Sequence, residues 1–172
     1  MEFTGKEFEK EIFSSIDFTN KDLSDAVFYE CNFKKCNFSN VEISNSRFEN
    51  VVFNNCKIMG LDFKKCNLLF LKVKFVECII SFADFSNINL SKTSFEGSNI
   101  TDSYFNESNL SYANFKKVKF EEVSFFKTNL FNTDFRKSIG YEINPRDNII
   151  KKAKFDLPEV LNLLNYFEIE IE

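Results

Sequence analysis

The residues with the widest chemical range in this chain are five thiols. Cys31, Cys36, Cys56, Cys66 and Cys78 could ligate zinc, form disulfides or act as nucleophiles. Each of those roles needs a partner. Histidine is absent from the 172 residues. Its absence removes the Cys-His and Ser-His pairs, the commonest general base and a frequent metal ligand. No two Cys pairs of close spacing face one another, as a structural zinc site requires. There is no glycine-rich phosphate loop, and Asp and Glu are scattered as solvated groups. An odd number of Cys reads most simply as reduced thiols. No catalytic residue, metal site or cofactor is expected, and the chain is not read as an enzyme.

What the thiols do share is position. Each stands two residues before a large apolar residue, and those residues recur every five. The clearest copies are Ser108-Asn109-Leu110-Ser111-Tyr112 and Ala113-Asn114-Phe115-Lys116-Lys117. Stepping by fives from Phe3 gives Phe8, Phe13, Phe18, Leu23, Phe28 and so on to Phe63 and Leu68. A second run starts at Phe70 and passes Phe75, Phe85, Phe105, Leu110, Phe115 and Phe125 to Phe135. Nineteen of the 24 Phe residues stand at these centres, so the pattern is not accidental.

A period of five belongs neither to a helix nor to a strand and must be read as an internal repeat. The centre must point to an axis. The residue two before it must also point inward, because it is small: Ala26, Cys31, Cys36, Val51, Ala83, Thr93 and Ala113 are examples. Cys therefore serves as a small apolar filler. Asn or Asp often stands just before the centre, as at Asn32, Asn37, Asp84 and Asn109, where it suits a tight turn.

On these residues the sequence resembles the pentapeptide-repeat family, whose unit is a small residue, Asn or Asp, Leu or Phe, and two variable positions. Cys36-Asn37-Phe38-Ser39-Asn40, Ala83-Asp84-Phe85-Ser86-Asn87 and Thr133-Asp134-Phe135-Arg136-Lys137 fit it well. The resemblance implies an all-β solenoid, a right-handed quadrilateral parallel β-helix in which four units make one coil. Residues 1–137 then form about seven coils, some 34 Å long at the ~4.8 Å strand spacing. The core ladder includes Phe28, Phe48, Phe53, Phe63, Phe85, Phe105, Leu110, Phe115 and Phe125. Each such side chain contributes roughly 1.5–3 kcal/mol on burial, and no unit is stable alone.

The two runs differ in phase by two residues, dividing the solenoid into 1–69 and 70–137. The stretch Leu61–Leu71 marks a kink or bulge between them, with Leu68 and Phe70 both read as inward centres. After Phe135 the period ends. Asn144-Pro145-Arg146-Asp147 predicts a helix start. Asp156-Leu157-Pro158-Glu159 predicts a second, running to about Tyr166 with Val160, Leu161 and Leu164 on one face. Phe167, Ile169 and Ile171 alternate with Glu and predict a terminal strand. Residues 138–172 are expected to cap the open end. Phe126 and Phe131 lie outside the inward positions, to be covered by that tail or by a second subunit.

Function is argued from shape and charge. The formal net charge is −4. Counted along the chain, acids and bases are evenly mixed, which makes a basic nucleic-acid-binding face improbable and gives no strong acidic field. No apolar run approaches the roughly 18 residues of a membrane span. With no signal peptide visible, a cytoplasmic protein is expected. The repeat, short helix and apolar end resemble the Qnr and Mfp proteins, which protect type II topoisomerases from quinolones. That resemblance implies a homodimer through Val160, Leu161, Leu164, Phe167, Ile169 and Ile171, forming a rod that mimics DNA and binds DNA gyrase or topoisomerase IV. Lys34, Lys35, Lys64, Lys65, Lys116, Lys117 and Lys119 are expected to interrupt its acidic field. The alternative is a pentapeptide-repeat scaffold for another protein partner.

Overall fold

A computed structural model of the chain describes residues 2–167 and 169–170. Its backbone is a square coil that advances one turn every 20 residues. Three of the four sides carry short parallel strands. One sheet stacks Glu7–Glu9, Val27–Tyr29 and Arg47–Glu49. A second stacks Ile12–Ser14, Asn32–Lys34, Val51–Asn54 and Val73–Val76. A third runs from Asn37–Ser39 through Lys57–Met59, Ile79–Ser81 and Asn99–Thr101 to Lys119–Glu121. The fourth side, through Leu23, is held by single bridges: Asp22 with Glu42, Asp62 with Asp84, Asp84 with Tyr104 and Tyr104 with Ser124. The result is a right-handed quadrilateral β-helix.

Two local devices turn the chain at each corner. The second residue after most centres adopts the left-handed backbone conformation, for example Lys10, Asn20, Lys35, Asn45, Glu107 and Lys137, the 3₁₀ turn Phe63–Lys65 being an exception. Asn tolerates that region, but Phe82 and Tyr112 occupy it too, at φ 52° and 61°. The residue before the centre often folds back on the turn. Asp17 accepts from the Thr19 amide at 3.0 Å, Asp84 from Ser86 at 2.8 Å and Asn109 from Ser111 at 3.1 Å. These are Asx turns.

The centres fill the interior. Phe13, Phe33, Phe53, Phe75, Phe95, Phe115, Phe135 and Phe155 form one column of near-parallel rings, with successive centroids 4.8–5.3 Å apart. Such contacts add about 0.5–1.5 kcal/mol each to simple burial. Phe28, Phe48, Phe53, Phe63, Phe85, Phe105, Leu110, Phe115 and Phe125 are all buried. The small position does more than fill space. Its donors reach the carbonyl of the centre one coil below: Ser46 Oγ to Leu23 at 2.8 Å, Thr133 Oγ1 to Leu110 at 2.8 Å, and Cys56 Sγ to Phe33 at 3.3 Å.

The shift between the two phases is a two-residue insertion. Phe53 pairs with Phe75 and Ile58 with Ile80, a step of 22 residues where the other rungs step by 20. The extra residues are expelled at Leu68–Phe70, one turn of 3₁₀ helix. Leu68 and Leu69 are exposed, and Phe70 is half-buried with the Arg47 guanidinium 3.6 Å above its ring. Leu68 and Phe70 are therefore not inward centres. Leu71 takes the buried place.

The tail also departs from the sequence expectation. The coil does not stop at 137, because bridges continue from Lys119 to Ile139, Asn129 to Ile149 and Asp134 to Lys154. Asn144–Asp147 is a turn of that last coil, not a helix start: Asn144 Oδ1 accepts from the Arg146 amide at 3.0 Å, as in the Asx turns below it. Gly140 stands one coil above Phe120 and brings no side chain, so buried Tyr141 and Ile143 fill the end of the core.

A nine-residue 3₁₀ helix, Glu159–Phe167, closes the rod. At three residues per turn, Val160, Leu163 and Tyr166 share a face. Val160 packs on the core and Leu163 is buried, while Leu161 is exposed and Leu164 half-buried. The expected face of Val160, Leu161 and Leu164 assumed an α-helical period. No strand follows among the described residues. Ile169 is exposed coil, and Ile171 lies outside the described residues.

Candidate functional site

A 20-residue period sorts side chains by face, and so it sorts charge. On the Leu23 side, the position before the centre is acidic on successive coils: Asp22, Glu42, Asp62 and Asp84. Tyr104 and Ser124 then replace the acids. The row is continued at the adjoining corner by Asp102, Glu122 and Glu142, which surround one shallow cleft with Tyr104, Ser124 and Asn144. Seven carboxylates thus follow one edge from the first coils to the last.

Each lower carboxylate has a local role. Asp22 accepts from the Ser24 amide at 2.8 Å and Glu42 from Ser44 at 2.9 Å. The hydroxyls of Ser24 and Ser44 first, and then these amides, hold both carboxyls below their ordinary values. Asp62 accepts from Lys64 N at 2.9 Å. At Asp84, partial burial pulls the carboxyl up but is outweighed by the Lys64 ammonium, 2.6 Å away, and by Ser86. The Asp84 carboxyl is thereby held below its ordinary value, like those of Asp22 and Glu42.

Five cations lie on this side. Lys64 is tied to Asp84, and Lys65 lies 3.5 Å from Glu42. Lys21 and Lys127 are exposed, and Arg146 packs over Phe167 at 4.8 Å. Most of the lysines expected to interrupt an acidic field are elsewhere. Lys34, Lys35, Lys116 and Lys117 follow Phe33 and Phe115, on the opposite side of the square. Lys74, Arg136, Lys137 and Lys154 join them there. Glu96 and Asp134 lie among them, paired with Lys117, Lys116 and Arg136, so that side is mixed, whereas the Leu23 side carries the longer run of carboxylates.

The other sequence-derived residues scatter. All five thiols are buried and unpaired. Burial pushes the Cys66 thiol up to about 12 and the Cys31 thiol upward as well. Among the described residues no cluster of His, Cys, Asp or Glu could hold a metal. Phe126 stays largely exposed in the cleft that Tyr166 also lines, and Phe131 meets Tyr112 edge-on at 5.5 Å. Leu161, Phe167 and Ile169 leave an apolar end to the rod. No helix among the described residues is long and apolar enough to cross a membrane.

Comparison with known proteins agrees with this geometry. The profile of the pentapeptide repeat region matches residues 26–105, and that of pentapeptide repeats (8 copies) matches residues 103–139. No curated protein matches the chain in sequence. Among solved structures, a trypsin-treated form of QnrB1, a plasmid-mediated fluoroquinolone resistance protein, is 19% identical. That match covers 99% of this chain and 92% of QnrB1, with a TM-score of 0.73. A second trypsin-treated form is 20% identical over the same shares, with a TM-score of 0.72. Full-length QnrB1 is 20% identical, covering 97% and 92%, with a TM-score of 0.60. These likenesses establish the fold, and with the matched repeats they place the chain in the pentapeptide-repeat family.

Proposed function

We propose that this chain is a non-enzymatic interaction rod whose acidic edge mimics DNA and binds a type II topoisomerase. The observation that carries the reading is the line Asp22, Glu42, Asp62, Asp84, Asp102, Glu122 and Glu142. Folding alone does not ask for it. Directly opposed like charges on neighbouring strands cost a few tenths to about 1 kcal/mol per pair. Asn makes the same turn bond, as at Asn89, Asn109 and Asn114 on other faces. Acid is therefore present where a neutral residue would serve the coil as well.

At ~4.8 Å per coil the row extends about 30 Å, close to the ~34 Å of one DNA turn. Its charge is sparser than the one per ~1.7 Å of duplex axis, and Asp25 and Glu107 beside it add to the field. QnrB1, which shares the fold, is a fluoroquinolone resistance protein. The exposed end at Leu161, Phe167 and Ile169 supports pairing with a second copy, which would double the acidic edge.

The test is DNA supercoiling by purified gyrase, with quinolone-stabilised cleavage measured in parallel as the protein is titrated in. Protection or inhibition at low micromolar protein, lost on Asp62→Lys with Glu122→Lys, is the expected result. No effect from a folded protein would leave a scaffold for a different partner.

A further inference from the structure

The two-residue insertion opens a gap in the ladder. On regular coils each strand bonds to the next: Asn109 N donates to Ile88 O at 3.0 Å, Leu90 N to Asn109 O at 2.8 Å, and Lys92 N to Ser111 O at 2.9 Å. One coil lower this pattern fails. Phe70 N turns back to Asn67 O at 3.2 Å, and Lys72 N goes down to Phe48 O at 2.8 Å. Among the described residues, the amide and carbonyl of Asn89 and the carbonyl of Ser91 then have no backbone partner. A short strand edge is left open in the middle of the rod.

A groove of about 460 Å³ lies along that edge. Val52, Leu68, Leu69 and Leu71 give it an apolar wall, and Leu69 is 81% exposed. Lys72, Lys74 and Lys92 surround it, and no carboxylate lines it. Among the described residues none of the three ammonium groups forms an ion pair.

We propose that this groove takes an extended acidic segment of a partner protein, which adds a strand to the Asn89–Ser91 edge. Its N–H groups would donate to the Asn89 and Ser91 carbonyls, and one of its carbonyls would accept from the Asn89 amide. Alternate side chains of a strand point to opposite faces. One set would therefore lie on Leu68 and Leu69 while carboxylates meet Lys72, Lys74 and Lys92. Strand addition draws its affinity from the main chain and its selectivity from such pockets. A nucleic acid would leave the apolar wall unused. The groove is distinct from the acidic edge, so the proposal stands whether or not a topoisomerase is bound there.

The test uses the full chain and a fluorescein-labelled heptapeptide alternating Glu and Leu, because main-chain pairing tolerates sequence. Fluorescence anisotropy reads affinity, and amide exchange reads the edge. In the free protein the Asn89 amide should exchange much faster than those of Asn109 and Asn129, and saturating peptide should slow it at least ten-fold. Lys72→Glu with Lys92→Glu, both exposed positions, should weaken binding about ten-fold or more. N-methylation of the peptide at alternate amides should do the same. The proposal is overturned by a protected Asn89 amide in the free protein, by no saturable binding up to millimolar peptide, or by equal binding of a Lys-Leu or N-methylated peptide. Self-association that disappears in the double variant would assign the groove to a second copy and overturn it equally.

Discussion

Gly140 lies against the backbone of Phe120 on the coil below, so close that a Cβ on Gly140 would stand 2.2 Å from the Phe120 carbonyl oxygen. Its φ is +76°. Both facts exclude a side chain, and the contact is with main chain, which cannot swing away. Gly60 is also left-handed, at φ +70°, but there a Cβ meets only the Asn40 side chain.

Gly140→Ala should therefore cost about 3 kcal/mol, combining left-handed strain with a backbone clash. Gly60→Asn should cost under about 1 kcal/mol, because Asn20 and Asn40 hold the same conformation on the coils below. Urea titrations of the two variants check the difference. Amide exchange should show the loss at Gly140 beginning in residues 138–155.

Tyr141 fills the place that Gly140 vacates, and its hydroxyl is buried with no hydrogen-bond partner. Burial pushes its pKa up to about 12, with Glu159 and Asp156 adding to the shift. The unfolded phenol ionises near 10. The unfolded chain thus loses its proton first as pH rises. Tyr141 supports the fold fully below pH 10, and that support fades between 10 and 12. Tyr141→Phe should leave stability at pH 7 unchanged or raise it by up to about 1 kcal/mol. It should also flatten the fall of the melting temperature above pH 10. A steeper fall would contradict the burial of this hydroxyl.

The inward ladder was legible in the sequence because every fifth residue is large and apolar, and a break in phase is visible as a changed count. The left-handed corners were not, since Lys, Ser, Glu, Phe and Tyr all occupy them and carry no common signal. The acidic edge was hidden by counting along the chain, because Asp22, Glu42 and Asp62 align only when a 20-residue coil is imposed. The last coil was hidden by Gly140 and Pro145 at two successive centre positions. Ile150 and Phe155 nevertheless stand 20 residues after Leu130 and Phe135. Leu163 was missed because a 3₁₀ helix repeats every three residues rather than 3.6.

The thiols were read as fillers, but four of them donate as well. Cys31, Cys36, Cys56 and Cys78 reach the carbonyls of Phe8, Phe13, Phe33 and Phe53 at 3.3–3.5 Å. Ser46, Thr128 and Thr133 make the same bond with oxygen. Cys56→Ser should therefore be tolerated within about 1 kcal/mol, whereas Cys56→Ala, which loses both donor and volume, should cost about 1–2 kcal/mol. Thermal melts of the two variants decide the order. In the parent chain all five thiols should react with a disulfide reagent only as fast as the coil opens, because each is buried.

The end of the rod separates folding from association. Leu163 is buried and holds the terminal helix, whereas Leu161 and Phe167 are about 40% exposed. Leu161→Glu with Phe167→Glu should therefore leave the coil folded, with a melting temperature within a few degrees of the parent. If the end pairs with a second copy, the double variant should halve the mass measured by light scattering. Leu163→Glu, by contrast, should detach the helix and expose Tyr141 and Phe155 to solvent. A folded dimer that survives the double substitution would place the contact between copies elsewhere on the rod. Loss of fold in the double variant would mean that these exposed side chains anchor the cap.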